Sequence, residues 1–165
     1  MTEIRSTLLT VFGLGRFPRA PGTIGSLPVA IAFVLLMLFA SEWVTNIVLL
    51  LLLAAASIVT IALGAWATEH WGRSDAEEIV SDEVAGQALT FLCLPWGMQR
   101  IDDNPIMIIG IGIVGFVLFR IFDILKPPPI NGLQSLRDGW GVLMDDLVAG
   151  LFAGGLLWLL VWQLA

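Results

Sequence analysis

Residues 46–68, NIVLLLLLAAASIVTIALGAWAT, contain no charged side chain. At ~1.5 Å per helical residue such a run reaches the ~30 Å of a bilayer's hydrocarbon core. Further apolar stretches lie at about 27–41, 84–99, 105–125 and 142–164, the first two of these being short for a crossing. The 165 residues are 58% hydrophobic and 13% charged, with a mean hydropathy of +0.91, more apolar surface than a soluble core of that size can hide. The expected fold is all-α: a single domain over residues 1–165, a polytopic transmembrane helix bundle of about five spans with polar loops.

If five segments cross, residues 1–26, 69–83 and 126–141 share one side, and 42–45, 100–104 and the C-terminus share the other. Arg5, Arg16, Arg19, Arg73, Arg120, Lys126 and Arg137 fall on or at the border of the first side, and only Arg100 on the second. The positive-inside rule then puts the N-terminus in the cytoplasm. No removable leader is expected, because the first ten residues carry Glu3 and one basic residue and no small-residue cleavage site follows a short apolar run. Ile4, Leu8 and Val11 lie at helical spacing beside Phe12, which suits a short helix in the membrane interface. The net charge of −6 argues against an electrostatic hold on anionic lipid and against a nucleic-acid partner. Cys93 stands alone and forms no internal disulfide. Gly150 and Gly154 form a small-xxx-small pair, and Gly110, Gly112 and Gly115 place small residues along the fourth stretch; both sets read as helix packing.

Eleven of the fourteen acidic residues belong to, or lie near, the polar segments of the first side. Four constellations there carry chemistry. Gly13 to Leu27, GLGRFPRAPGTIGSL, has glycines and prolines that argue against regular helix; Gly22, Thr23, Gly25 and Ser26 precede the first span, so backbone N–H groups and hydroxyls face an anion there, with Arg16 and Arg19 adding charge. The plainer reading is a rigid entry loop. In SDAEEIVSDEVAG, Glu77 and Glu78 read as a solvated face, whereas Asp82 and Glu83 sit at an apolar border where two ionised carboxylates need a cation or donors. In FRIFDILKPPPI, Arg120, Asp123 and Lys126 are spaced by three on one helix face and the prolines stop the helix; the pattern suits either an ion-pair ladder or a phosphate held at that depth. In GWGVLMDDLVAG, Asp145 and Asp146 lie about one turn inside an apolar run, where each charge costs up to ~2.5–3.5 kcal/mol. Pairing with Arg120 is one explanation; a divalent-metal site shared with Asp82, Glu83 and Asp123 is the other. The donors are hard oxygens, which makes Mg²⁺ the expected ion and Mn²⁺ the alternative.

Together APGTIGSL, EIVSDEVAG, FRIFDILKPPPI and GWGVLMDDLVAG resemble the phosphatidylglycerophosphatase A family, lipid phosphatases of the bacterial inner membrane. The resemblance covers about residues 13–150, in order, and four linked motifs are far more specific than one. It implies Mg²⁺-dependent removal of the terminal phosphate from phosphatidylglycerophosphate, a phospholipid partner, and a multi-pass protein whose site faces the cytoplasm. Carried over by motif, Asp82, Glu83, Asp123, Lys126, Asp145 and Asp146 are the catalytic set, the five acids among them the metal set, and Thr23 and Lys126 phosphate-binding residues, to which the charge argument adds Arg120. Asp75 matches an aspartate that often precedes the IV-x-DE stretch, although Ala76 stands where His or Pro is common; Arg16 and Arg19 fall where the family varies.

The chain has no Cys-x5-Arg, no paired histidines and no D-x-D, which removes thiol, phosphohistidine and aspartyl-phosphate routes. The D-G-x-x-A-R signature of CDP-alcohol phosphotransferases is absent too, since Asp138-Gly139 continues as Trp140-Gly141. Direct attack of water on the lipid phosphate is the expected mechanism, and the residues do not choose between it and a route in which one carboxylate is the nucleophile. Two alternatives stay open: a phosphatase of another phospholipid such as phosphatidate, and an ion or solute transporter, whose sites tend to lie at the midplane between repeats that this chain lacks.

Overall fold

The computed structural model describes residues 2–73, 75–95, 104–128, 130 and 139–164, and among these the regular structure is helical. Six α-helices follow in order: α1 (Thr2–Leu9), α2 (Pro21–Phe39), α3 (Glu42–Trp71), α4 (Ser81–Leu92), α5 (Pro105–Leu125) and α6 (Gly139–Leu164), with a 3₁₀ turn at Leu14–Arg16. The all-helical membrane bundle is as expected. Among the described residues four helices, α2, α3, α5 and α6, are long and apolar enough to cross a bilayer, against the expected number of about five.

The difference lies in the third apolar stretch. Its helix α4 starts at Ser81 and has 12 residues, about 18 Å, too short for a crossing. It ends half-way down the bundle, where Phe91 abuts Gly115 of α5 and Cys93 abuts Gly154 of α6. Residues 96–99 of that stretch, and Arg100 and Arg137 of the charge count, lie outside the described residues. The first turns of α2 and α4, the end of α5 and the start of α6 gather at one end of the bundle.

Local chemistry explains the boundaries. Ser41 caps α3 by accepting from the Val44 N–H at 3.3 Å, and Asn104 caps α5 by accepting from Ile106 and Met107. Gly72 ends α3 at φ +72°. Lys126 closes α5 in the left-handed region at φ +40°, and Pro127 then bars a further turn. The segment Gly13 to Leu27 departs from expectation. Helix α2 already begins at Pro21, because proline suits the first helical position, and Gly22, Gly25 and Pro28 are carried inside it.

Helix α3, at 30 residues or ~45 Å, exceeds the ~30 Å hydrocarbon layer, and its last turns project past the site end. There Leu9 packs with Ala67, Ala76 and Ile79, Trp66 stacks on His70 at 4.6 Å, and the Val80 N–H reaches the Leu9 carbonyl at 3.0 Å. Helix α1 leaves Ile4 and Leu8 exposed but ends at Leu9; beyond it Phe12 is exposed and Val11 packs against the core, both at positive φ rather than on the expected helical face.

Helix α4 is the axis of the fold, lying against α2, α3, α5 and α6. Phe91 stacks on Phe33 with centroids 4.1 Å apart. Gly86 and Gly150 let α4 and α6 touch backbone to backbone, and Gly112 and Gly115 do similar work on α5; Gly110 faces open space instead. On the α3 side, Thr60 donates to the Ala56 carbonyl at 2.9 Å, so the 2.6 Å contact between its hydroxyl and that of Ser81 has Ser81 as donor. Thr60→Val removes that acceptor from a buried hydroxyl at the start of α4. We expect it to cost ~1–3 kcal/mol in detergent unfolding, against little for Thr68→Val at the partly buried end of α3.

Candidate active site

At the gathered end of the bundle a cavity of about 320 Å³ opens to the outside. Each of its walls comes from a different helix. The start of α2 gives Ala20 to Gly22, the first turn of α4 gives Asp82 and Glu83, the end of α5 gives Arg120, Asp123 and Lys126, and α6 gives Asp145 and Asp146. Asp75 and Glu77 stand exposed at the rim.

The local sequence places these groups. Asp82 and Glu83 occupy the first turn of α4, where free N–H groups favour negative charge. A β-carbon at Gly22 would fall on the Glu83 carboxylate and displace it, and one at Gly25 would stand 2.6 Å from Val80 Cβ. The spacing of three puts Arg120 and Asp123 on one face of α5, joined at 2.9 Å, and Arg120 also reaches Glu83 at 3.5 Å. Lys126 pairs with Asp145, whose other oxygen accepts from the Asp146 N–H at 3.1 Å.

Five acids therefore surround two cations, an excess of three negative charges were all of them ionised, in a site where Asp82, Asp145 and Asp146 are at most 5% exposed. Burial lifts the pKa of Asp82 well above the carboxylate range, and Glu83 and Asp145 push it the same way. Burial also raises Glu83, to about 8, with the Arg120 guanidinium pulling it down. Burial alone would lower Lys126; the hydrogen bond and charge of Asp145 outweigh it and hold the ammonium form. Asp82 Oδ1, Glu83 Oε2, Asp146 Oδ2 and Arg120 Nε are buried without a hydrogen-bond partner. Such oxygens are ready to take a cation or a donor. Among the described residues, no group of three acids is already set in metal-holding geometry, so ion binding requires side-chain rearrangement.

The structure thus gathers Asp82, Glu83, Arg120, Asp123, Lys126, Asp145, Asp146 and the rim residue Asp75. It does not place Thr23 in that lining: its side chain belongs to an apolar groove on the other side of Arg120. Arg16 binds Ser6 at 2.9 Å, and Arg19 is exposed; neither lines the cavity. Gln87 was missed. It is fully buried, both of its amide atoms lack partners, and its signal in the sequence is a spacing of four from Glu83 on the same helix face.

Residues 7–161 match the model of the family described as Phosphatidylglycerophosphatase A. The chain belongs to the phosphatidylglycerophosphatase A family. It is thereby a lipid phosphatase. A protein of Escherichia coli named phosphatidylglycerophosphatase A is 34% identical over 148 residues, covering 89% of this chain and 77% of the relative. One of the same name from Haemophilus influenzae is 32% identical over 144 residues, covering 86% and 79%. A Bacteroides thetaiotaomicron protein carrying the provisional name phosphatidylinositol-3-phosphatase is 34% identical over 152 residues, covering 87% and 85%. No solved structure matches the chain.

Proposed function

We infer that this phosphatidylglycerophosphatase A family member hydrolyses the terminal phosphomonoester of phosphatidylglycerophosphate to phosphatidylglycerol and inorganic phosphate, with Mg²⁺ as its metal, at the cytoplasmic face of the bacterial inner membrane. The observation that carries the reading is the cavity itself: five acids and two cations from three helices converge at one end of a bundle of spanning helices, the depth at which a lipid headgroup lies. Transport is disfavoured on the same ground, because the acids lie at that end rather than mid-bundle. The names of the Escherichia coli and Haemophilus influenzae relatives support the substrate. Every basic residue among the described ones sits at the site end, which supports a cytoplasmic site.

The donor set suits Mg²⁺. Asp82, Glu83 and Asp146 each keep a buried oxygen without partner, Asp123 and Asp145 would add further hard oxygens after side-chain rearrangement, and a cation would stabilise the ionised form of these clustered acids. A metal bound there would supply Lewis-acid charge and a lowered pKa for its water. The chain's own residues do the rest. Arg120 and Lys126 hold the phosphoryl oxygens as charge spreads over them. A carboxylate orients a water and takes its proton as the water oxygen bonds to phosphorus; the bond from phosphorus to the glycerol oxygen breaks, and that oxygen takes up a proton.

The test is phosphate release by purified protein in detergent from phosphatidylglycerophosphate, phosphatidate and phosphatidylinositol 3-phosphate, with Mg²⁺, Mn²⁺ or chelator. Release should be fastest from phosphatidylglycerophosphate, vanish in chelator and return with Mg²⁺. Full activity in chelator would remove the metal from the mechanism. The Bacteroides relative's name favours a second reading, the same chemistry on another phospholipid, and fastest release from the inositol lipid would put that reading first.

A further inference from the structure

Two apolar grooves open sideways, toward the bilayer, along the seam of α2 and α5. One, of about 360 Å³, has Thr23, Phe116, Arg120, Ile121 and Ile124 in its lining. The other, of about 220 Å³, has Ala30, Ile31, Val34, Ile109, Ile113 and Phe116. Phe116 belongs to both, so they run end to end, and Arg120 belongs to both the first groove and the acid cavity. From Arg120 to Ile109 the seam follows three turns of α5, ~16 Å, the scale of an extended acyl chain.

We propose that this α2–α5 seam seats an acyl chain of the phospholipid substrate, with Arg120 as the junction at which the hydrocarbon in the seam gives way to the phosphate in the cavity. The inference rests on the hydrolase reading above and extends it to how the lipid is held. An outward-facing apolar seam alone says little in a membrane protein, where any such face meets lipid. What singles this one out is continuity with the charged site. A third groove, of about 350 Å³, lies between α5 and α6, lined in part by Met107, Val114, Leu157 and Leu160, and is as apolar, but it shares no residue with the cavity.

The chemistry along the seam follows the chemistry of a phospholipid. The guanidinium of Arg120 holds a phosphate from one side and faces hydrocarbon on the other, as arginine's flat, weakly hydrated head allows. The Thr23 hydroxyl, in the first turn of α2, stands at the level of the lipid's ester and glycerol oxygens. Below it the lining is wholly hydrocarbon. Gly112 keeps the floor closed, because a β-carbon there would run into Val34. Because the seam opens laterally, the substrate enters from the leaflet without leaving the bilayer.

Ile31→Trp and Ile113→Trp fill the seam at positions 49% and 59% exposed, remote from the acids, and Val114→Trp fills the α5–α6 groove as control. Kinetics would compare a dihexadecanoyl with a dibutanoyl form of the same phosphomonoester lipid. The seam variants should raise KM about tenfold for the long-chain form, the loss of roughly two buried methylenes, and leave kcat and the short-chain KM near wild type; Val114→Trp should change neither. A lipid carrying a photoreactive group in mid-chain gives a second readout independent of turnover. It should label the seam, and phosphomonoester lipid should displace it where phosphatidylcholine does not. Equal displacement by both lipids, or an equal KM rise in Val114→Trp, would show ordinary boundary lipid and overturn the inference while leaving phosphate release intact. Selective displacement in a protein that releases no phosphate would uphold the seam and sink the hydrolase reading.

Discussion

Asp145→Asn, Asp82→Asn and Lys126→Ala should each lower phosphate release by ~10²–10³-fold, the scale of losing one charge-stabilising group from a transition state. Asp145 is 2% exposed and pairs with Lys126, so asparagine keeps its shape but strips the lysine of its counter-charge. Asp82 has one buried oxygen without partner, and asparagine takes away an anionic ligand. Stability should move the other way. In chelator, folding near neutral pH must either protonate Asp82 or bury its charge beside Glu83 and Asp145, a cost that asparagine removes. The thermal midpoint of Asp82→Asn in chelator should therefore rise above wild type while activity collapses, a combination that simple misfolding does not produce. Arg19→Ala, at an exposed position outside the cavity, should behave as wild type in both assays. Full phosphate release by all three site variants would end the proposed mechanism.

The acids were readable from the sequence because charge at an apolar border is costly enough to need a reason, and the spacing of Arg120 and Asp123 fixes a shared helix face whatever surrounds it; Lys126, read as a third member of that face, is instead the left-handed cap beyond the helix end. The length of α4 was not readable. Hydropathy sums the apolar residues from 84 to 99, but it cannot tell lipid from the inside of a bundle, and α4 is apolar because it is enclosed by α2, α3, α5 and α6. The same blindness moved the start of α2. Glycine and proline in APGTIGSL argue for loop on local propensity, yet Pro21 sits where helices accept proline, and Gly22 and Gly25 are set by the approach of Glu83 and Val80 from α4, a contact sixty residues away. That shift turned Thr23 out of the cavity and into the groove beside Arg120. Gln87 went unnoticed because an isolated amide in an apolar run signals nothing until its burial and lack of partners are seen.

Gly86→Leu should be among the most destructive single changes outside the charged set. A β-carbon at Gly86 would stand 2.6 Å from both the Asp146 carbonyl oxygen and a Phe119 ring carbon, and from the other side a β-carbon at Gly150 would run into the Gly86 carbonyl. Backbone meets backbone here, so no side chain can rotate to make room, and the overpacking cost should reach roughly 3 kcal/mol. The sign for alanine makes a sharper test. Glycine inside a helix is worth ~0.5–1 kcal/mol less than alanine, so at Gly110, which faces open space, alanine should stabilise by about that amount. At Gly86 the same substitution should destabilise, because the tight α4–α6 contact outweighs the helix preference. Activity should then fall further than the folded fraction does: Gly86 lies one turn from Asp82 and presses on the backbone of Asp146, so prising the helices apart moves two of the acids that the cavity brings together. Equal behaviour of Gly86→Ala and Gly110→Ala in detergent unfolding would mean that the close contact of α4 with α6 does not set the geometry of the site.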